Sequence, residues 1–214
     1  SFNTSGEAYS LSAANADLPP EQSLNVELGA RIDSADGNFT TRAALFRTTK
    51  LHERNTDPLV NLVTLSGKRH AAGVELDLTG RITPAWEIYG SYMWIPVAKI
   101  DAGVAGSEGE GARPSLTPRH SGTIWSTYRL TPKLRVGGGL NARSGQQPLR
   151  NPGFYAPHFV TADLMAEYTA TPDRLVFKLN VSNVADKLYA DQLYPGHYIP
   201  GAGRLMQATA SFKF

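Results

Sequence analysis

The side chains that could carry catalysis are scattered along this 214-residue sequence and form no known catalytic motif. The chain has no cysteine, which excludes thiol nucleophiles, disulfide scaffolds and Cys-based metal sites. No G-x-S-x-G elbow occurs, and His52-Glu53 lacks the second histidine of an H-E-x-x-H zinc motif. The remaining histidines are isolated from one another: His70, His120, His158 and His197. We therefore predict no catalytic residue, no metal site and no covalently bound cofactor, and we expect that the protein is not an enzyme.

The glycine-rich stretches do not have the context of a nucleotide-binding loop. Gly67-Lys68 has Leu62 where a phosphate-cradling loop needs glycine. Gly137–Gly139 lies inside a predicted strand, where small residues indicate a bend or a crowded wall. With 21 Lys and Arg against 19 Asp and Glu, no basic excess indicates a nucleic-acid partner.

Ligand recognition is better supported than catalysis, because aromatic and cationic side chains gather in Gly/Pro-rich segments that we expect to be loops. Cations attract anionic ligands, and tyrosine rings offer stacking and cation–π contacts. The alternative is that these residues only solvate the loops or bind lipopolysaccharide phosphates. We predict six ligand-binding residues: Arg54, Arg150, Tyr155, Tyr194, His197 and Tyr198.

The elements that must position these residues are strands, since apolar and polar residues alternate with a period of two and helical spacing is almost absent. One parity of each predicted strand is free of charge, and the other carries residues such as Glu75, Arg135 and Lys178. We predict nine strands: Ser23–Ile32, Asn38–Leu45, Ala72–Ile82, Trp86–Trp94, Gly122–Arg129, Leu134–Arg143, Val160–Thr169, Leu175–Ser182 and Leu205–Phe214.

The connections alternate between short turns and long Gly/Pro-rich loops. The predicted loops cover about residues 1–22, 47–71, 96–119, 144–158 and 184–204. Short turns at one end and long loops at the other are typical of outer-membrane β-barrels. Eleven tilted residues climb roughly 28 Å, which matches the ~25 Å apolar band of such barrels. The mean hydropathy of −0.28 and the net charge of +2 are typical of a soluble protein. They are averages over the uncharged and the charged parity of the strands, and they conceal the difference between the two.

Aromatic residues on the uncharged parity lie where membrane interfaces need them. Tyr92 and Trp94 are near the long-loop end, and the others are beside short turns or the C-terminus: Phe39, Trp86, Tyr128, Tyr168, Phe212 and Phe214. The competing interpretation is a soluble β-sandwich such as a lectin, but sandwich strands are shorter and their loops do not segregate by length. We predict an all-β, transmembrane, antiparallel up-and-down barrel.

An odd number of strands places Ser1 in a long external loop, whereas single-chain bacterial barrels normally have an even number. We therefore expect residues 1–214 to be the C-terminal part of a larger barrel, ending at its natural C-terminus. The alternative is a small barrel with an open seam, which lipid tolerates badly.

Five local motifs resemble those of TonB-dependent siderophore receptors, and they occur in family order. They are Pro20–Gly29, Gly67–His70 with Gly73–Leu76, Thr117–His120 with Trp125 and Tyr128, Leu179–Tyr189, and Pro200–Arg204. Val184-Ala185 departs from the Leu-Phe that is usual in the fourth motif, which we interpret as a change in packing.

This resemblance implies a 22-stranded barrel with a plugged lumen, of which the chain supplies the last nine strands. It implies an outer-membrane receptor of a Gram-negative bacterium that binds and imports a ferric siderophore, a catecholate type being slightly favoured. The partners implied are the TonB complex, acting through an N-terminal region that the sequence lacks, outer-membrane lipid with lipopolysaccharide, and the barrel-assembly machinery, for which Phe212 and Phe214 resemble the C-terminal signal. A passive porin and, less well supported, a barrel-embedded hydrolase are the alternatives.

Overall fold

The chain forms one large antiparallel sheet with a small hairpin at one end. A computed structural model describes residues 20–57, 62–103, 109–148, 153–194 and 196–214, with only the backbone of 54–57 and 62–66. The strands are β1 (Gln22–Asp33), β2 (Phe39–Asp57), β3 (Leu62–Thr83), β4 (Trp86–Ala102), β5 (His120–Thr131), β6 (Leu134–Arg143), β7 (Phe159–Thr171), β8 (Leu175–Ser182), β9 (Ala190–Tyr194), β10 (His197–Pro200) and β11 (Leu205–Phe212).

Nine of these strands follow one another as neighbours in a single sheet, ordered β1 to β8 and then β11. Every pairing in this sheet is antiparallel, so the predicted all-β, up-and-down architecture and its nine strands are confirmed. Within the described residues, β1 and β11 each have a partner on one side only, and the sheet is open. The described residues contain no helix that is long and apolar enough to cross a membrane.

The predicted short turns are confirmed at residues 34–38, 84–85, 132–133 and 172–174, but the prediction of irregular long loops is wrong in three places. Strands β2 and β3 continue through most of the stretch 47–71, and β4 extends to Ala102. In the extensions of β2 and β3, cross-strand polar pairs replace the apolar pattern, for example the 2.6 Å ion pair between Arg69 and Glu53. The last loop also contains a two-stranded sheet, formed by β9 and β10.

The strand register separates the uncharged residues from the charged ones, and we call the two sides the apolar face and the charged face. Ala43, Leu76 and Tyr92 are cross-strand neighbours on the apolar face, and the row continues through Gly122 and Ala142. Directly paired residues share a side of a sheet, so the alternation in the sequence becomes two continuous surfaces. Many large residues of the apolar face are exposed, Leu28 by 74%.

The charged face carries ion pairs near the short-turn end. The Arg135 guanidinium lies 3.8 Å from both the Glu87 and the Glu167 carboxylates. Lys178 reaches Glu167 at 3.3 Å. These contacts cross several strands, so the charged face is a network of mutually compensating charges.

The glycine run in β6 makes room for a tryptophan on the charged face. A Cβ atom at Gly139 would be 2.4 Å from Cε3 of Trp125, and one at Gly137 would be 3.3 Å from Cζ2 of the same ring. Trp125 and Gly139 are direct cross-strand partners, an arrangement in which the ring covers the glycine. The interpretation of Gly137–Gly139 as part of a crowded wall is therefore confirmed.

Buried apolar side chains are concentrated at the long-loop end. Ile100 is 2% exposed, and backbone hydrogen bonds join it to Gly111 and Ala112. Ile95, on the same strand, bonds through its amide to the carbonyl of Arg119. The segment 109–119 thus folds back onto β4 and gives this end of the sheet a rigid base.

Candidate ligand-binding site at the long-loop end

A cavity of about 650 Å³ lies between the loop 144–158 and the segment that contains β9 and β10. Its described lining is aromatic and apolar, and none of these residues is Lys or Arg. The lining consists of Pro148, Phe154, Tyr155, Ala156, Pro157, Leu188, Tyr189, Ala190, Leu193, Gly196, His197 and Tyr198. An apolar concave surface with a few polar atoms is the usual form of a small-molecule site.

The loop side of the cavity is held by a short antiparallel bridge between Gln146 and Ala156, with hydrogen bonds of 3.1 and 2.9 Å. The Tyr155 ring lies over Gly145, where a Cβ would come within 2.3 Å of Cε1. Tyr155 is nevertheless 67% exposed. Its ring is therefore fixed on one side and open to a ligand on the other.

The opposite side of the cavity is the β9–β10 hairpin. His197 pairs with Tyr194, and their rings stack at 4.9 Å with an interplanar angle of 7°. The Tyr194 hydroxyl donates a 2.8 Å hydrogen bond to Gln192. Leu193 of β9 is buried, and Tyr198, its partner on β10, is 54% exposed. The hairpin thus presents His197 and Tyr198 to the cavity on a rigid support.

Arg143 connects the start of this hairpin to the nine-stranded sheet through hydrogen bonds. Its Nη2 donates to the carbonyl of Ala190 at 2.6 Å and to that of Asp191 at 3.2 Å. The guanidinium carbon lies 4.9 Å from the centre of the Phe159 ring, a cation–π geometry. Phe159 in turn packs against Tyr189 at 4.4 Å. These contacts place the hairpin relative to β6 and β7.

The Asn183 side chain organises the turn that follows β8. It donates 2.9 Å hydrogen bonds to the carbonyls of Lys187 and Ala202, and it accepts one from the Lys187 amide. Asp186 accepts a 2.8 Å bond from the Arg204 amide. Asn183 and Asp186 both have positive φ, which Asn and Asp tolerate better than most residues. The fourth and fifth motifs of the sequence therefore meet in one hydrogen-bonded turn.

Arg113 lies in the segment 109–119 beside the cavity, and its guanidinium is hydrogen-bonded to backbone carbonyls. Its guanidinium donates to Thr117, Ile95 and Pro118. Burial lowers the pKa of Arg113, and the nearby Arg119 charge acts in the same direction, with Tyr155 opposing them. Arg113 is thus a structural cation next to the cavity.

The structure brings together Tyr155, His197 and Tyr198, three of the six predicted ligand-binding residues, and stacks Tyr194 against His197. Arg150 lies outside the described residues, and only the backbone of Arg54, within β2, is described. Ligand binding by these six residues stays a prediction. At the other end of the chain, the rings of Phe212 and Phe214 meet edge to face at 5.2 Å, and their role as an assembly signal also stays a prediction.

Sequence reasoning did not identify the supporting residues Phe159, Tyr189 and Asn183, nor the supporting contact made by Arg143. Tyr189 and Asn183 were within a motif that carried the family resemblance, so the signal was present. Their function could not be read from the motif, because it depends on partners about 20 or more positions away, such as Ala202 for Asn183.

Comparison with known proteins identifies the class. The family model described as TonB dependent receptor-like, beta-barrel, matches residues 1–184. The chain belongs to this family of β-barrels, and the resemblance found in the sequence motifs is confirmed.

Individual relatives share the sequence over nearly the whole chain. Probable TonB-dependent receptor BfrD of Bordetella pertussis is 33% identical over 97% of this chain and 29% of its own length. Catecholate siderophore receptor Fiu of Escherichia coli K12 is 29% identical over 95% of this chain and 27% of its own length. The crystal structure of the siderophore receptor PiuA from Acinetobacter baumannii superposes with a TM-score of 0.86 at 27% identity, covering 95% of this chain and 30% of that one. The chain therefore spans less than a third of the length of these relatives.

Proposed function

We propose that the chain is the C-terminal barrel portion of an outer-membrane receptor that binds a ferric siderophore at its long-loop end and imports it with energy from TonB. Membership of the family and the names of the relatives Fiu and PiuA support the class of ligand. The observation that carries the proposal is the aromatic cavity between the loop 144–158 and the β9–β10 hairpin. In such a receptor the apolar face contacts lipid and the charged face lines the lumen.

The chemistry of the cavity favours a ligand with aromatic rings, and a catecholate siderophore is the class we propose. Tyr155 and Tyr198 each present a largely exposed ring, and aromatic pairs gain about 0.5–1.5 kcal/mol beyond the burial of area. His197 adds a ring nitrogen that can hydrogen-bond to catechol oxygen. Iron in this proposal is cargo carried by the siderophore, and no enzymatic step is involved. The work of the protein is selective binding followed by energised passage.

The test is ligand binding by the full-length protein that carries this sequence. We expect the variants Tyr155→Ala and Tyr198→Ala each to weaken the binding of a ferric catecholate by about tenfold, because each removes one stacked ring and the area that this ring buries. Tyr89→Ala is the matched control, because Tyr89 is a similarly exposed tyrosine in β4 whose neighbours Glu87 and Trp125 are on the charged face near the short-turn end. Equal binding by all three variants and the unmodified protein would contradict the proposal.

The proposal also separates a receptor from a passive porin. Uptake of the ferric siderophore should cease in cells that lack TonB and should saturate with ligand concentration. Uptake that is unsaturable and independent of TonB would support the porin instead.

A further inference from the structure

The charged face carries a second cavity, of about 530 Å³, at its short-turn end. Its lining combines two aromatic rings, two guanidinium groups and threonine hydroxyls, from Tyr89, Trp125, Arg81, Arg135, Thr40 and Thr79. On β6, six residues separate Arg143, which holds the hairpin of the aromatic cavity, from Gly137, which lies beside Trp125. At about 3.3 Å per residue, the two cavities are therefore roughly 20 Å apart along the strands.

Two aromatic rings form the middle of this second cavity. Tyr89 on β4 and Trp125 on β5 are direct cross-strand partners on the charged face. The Trp125 ring lies against the glycine run of β6, because a Cβ at Gly137 would be 3.3 Å from its Cζ2. Tyr89 is 44% exposed. The pair is thus an aromatic surface on a rigid support, on which a planar ligand can stack.

Two arginines flank the rings, and neither is fully compensated. Arg81 is exposed, and its side chain forms no hydrogen bond or ion pair with a described residue, although Glu87 is its cross-strand neighbour. Arg135 lies 3.8 Å from the carboxylates of Glu87 and Glu167, and its Nε has no hydrogen-bond partner among the described residues. Guanidinium donors therefore remain for an anion.

The carboxylates of the neighbouring β1–β2 turn do not compete for these donors. Asp33 accepts hydrogen bonds from Arg31 and Thr40 at 3.1 and 2.6 Å. Asp36 accepts two from Asn38, at 2.7 Å from the side chain and 3.0 Å from the amide. Among the charged residues of the lining, two arginines stand against one glutamate. The cavity therefore favours an anionic ligand over a cationic one.

The charged face between the two cavities is lined by short polar side chains that bond to one another. Ser91 is opposite Thr123, and the Thr123 hydroxyl donates a 2.8 Å hydrogen bond to Asn141. Asn141 in turn donates to Asp163 at 3.1 Å. Since these polar groups are used within the sheet, this stretch offers a passing ligand weaker contacts than either cavity.

We propose that the second cavity is a transit site for the ferric siderophore, occupied after the ligand leaves the aromatic cavity and before it is released at the short-turn end. Tyr89 and Trp125 supply stacking, while Arg81 and Arg135 supply cation–π contacts and charge-assisted hydrogen bonds. These are the contacts that an anionic ligand with aromatic rings makes best. The proposal rests on the proposed function, because only a receptor that imports its ligand carries it to this end.

The test measures binding and uptake separately, with the full-length protein in cells and ferric dihydroxybenzoate labelled with radioactive iron. Tyr89→Leu and Arg81→Gln should each lower the maximal uptake rate per receptor by about fivefold. The Kd at the cell surface should stay within about twofold of the unmodified value, because the transit site acts after the ligand has bound. Arg81→Lys keeps the positive charge and should restore most of the uptake rate.

Two matched controls lie outside the second cavity. Tyr168→Leu changes a tyrosine of similar exposure that pairs with Leu134 near the short-turn end, on the apolar face. Arg42→Gln removes an exposed arginine of the charged face, opposite Asp77 and outside the lining. Both controls should keep the uptake rate within about twofold of the unmodified protein.

Unchanged uptake in Tyr89→Leu and Arg81→Gln, or an equal loss in the two controls, would overturn the transit site. A weaker Kd in Tyr89→Leu would also overturn it, since the residue would then act on the first binding step. Entry of a large antibiotic that the outer membrane excludes would show that the cavity closes the lumen instead. An unmodified protein that binds no ferric dihydroxybenzoate would refute the receptor function itself, whereas normal binding with normal uptake in the variants refutes the transit site alone.

Discussion

The Asp163 carboxylate on β7 accepts a 2.7 Å hydrogen bond from the backbone amide of Asn183, at the start of the turn that leads to the candidate site. The other carboxylate oxygen of Asp163 accepts a bond from Asn141 on β6, which itself accepts one from Thr123 on β5. Three strands of the wall are thus connected to the turn by side-chain hydrogen bonds on the charged face. The position of the hairpin that carries His197 and Tyr198 depends on this connection.

Replacement of Asn183 by alanine should loosen the long-loop end. The variant loses three side-chain hydrogen bonds made by the buried Asn183, removes the donor to the carbonyl of Ala202, and places alanine at a positive φ. We expect a loss of about 2–4 kcal/mol in the free energy of unfolding, measured by urea titration of the full-length protein in lipid vesicles.

Asn180→Ala is the control for this variant. Asn180 lies three residues earlier on β8, and no hydrogen bond of its side chain is found among the described residues. It should change stability by less than about 0.5 kcal/mol, as is usual away from such networks. A similar loss in both variants would show that the turn does not have the role assigned to it.

Gly201→Ala should disturb the aromatic support of the site. A Cβ at Gly201 would be 2.0 Å from Cζ of Tyr189, so the ring must shift, which disturbs its packing against Phe159. We expect faster hydrogen exchange over residues 189–201 and siderophore binding weakened by about tenfold. Gly109→Ala, where no atom lies within 4 Å of the new Cβ, should leave both measurements unchanged. Unaltered exchange in Gly201→Ala would contradict the packing described.

The strands of the main sheet could be predicted because each alternates between an uncharged and a charged side. Leu134–Arg143 and Leu175–Ser182 were predicted to the residue for this reason. The extensions of β2 and β3 could not be predicted, since polar residues there occupy both sides of the strand and the period-2 signal disappears. The extension of β4 could not be predicted because the register shifts opposite Ala72 and Val74, which breaks the alternation. Pairing between β2 and β3 there is fixed by cross-strand partners such as Arg69 and Glu53.

The candidate site was predictable in composition but not in arrangement. Tyr155, Tyr194 and Tyr198 stood out because exposed aromatic residues in Gly/Pro-rich loops are unusual. Their convergence depends on Arg143, whose contact with the carbonyl of Ala190 spans 47 positions. A hydrogen bond to a backbone carbonyl leaves no trace in the identity of the accepting residue, so no sequence pattern indicates it.

Two glycines of the sheet should respond differently to the same substitution. Gly139→Ala would place a Cβ 2.4 Å from Trp125 and 2.5 Å from the carbonyl of Ile124, and overpacking of this kind costs about 1–3 kcal/mol. Gly90→Ala meets nothing closer than 3.8 Å and should be neutral within about 0.5 kcal/mol. Urea unfolding of the full-length protein, followed by tryptophan fluorescence, measures both. Equal stability of the two variants would contradict the placement of the Trp125 ring.

The turn between β1 and β2 should weaken in acid at an unusually low pH. Hydrogen bonds from the Ser34 hydroxyl and from the side chain and amide of Asn38 lower the pKa of Asp36 from its ordinary 3.8 to about 2. Because the pKa is depressed in the folded state, the stabilisation is complete above the ordinary pKa and is lost as the pH falls from about 4 to about 2. The amide resonance of Asn38 should therefore titrate with a midpoint near 2, measured by NMR on the full-length protein in detergent. Asp36→Asn should abolish this titration, and a midpoint at 3.8, or an unchanged curve in the variant, would refute the assignment.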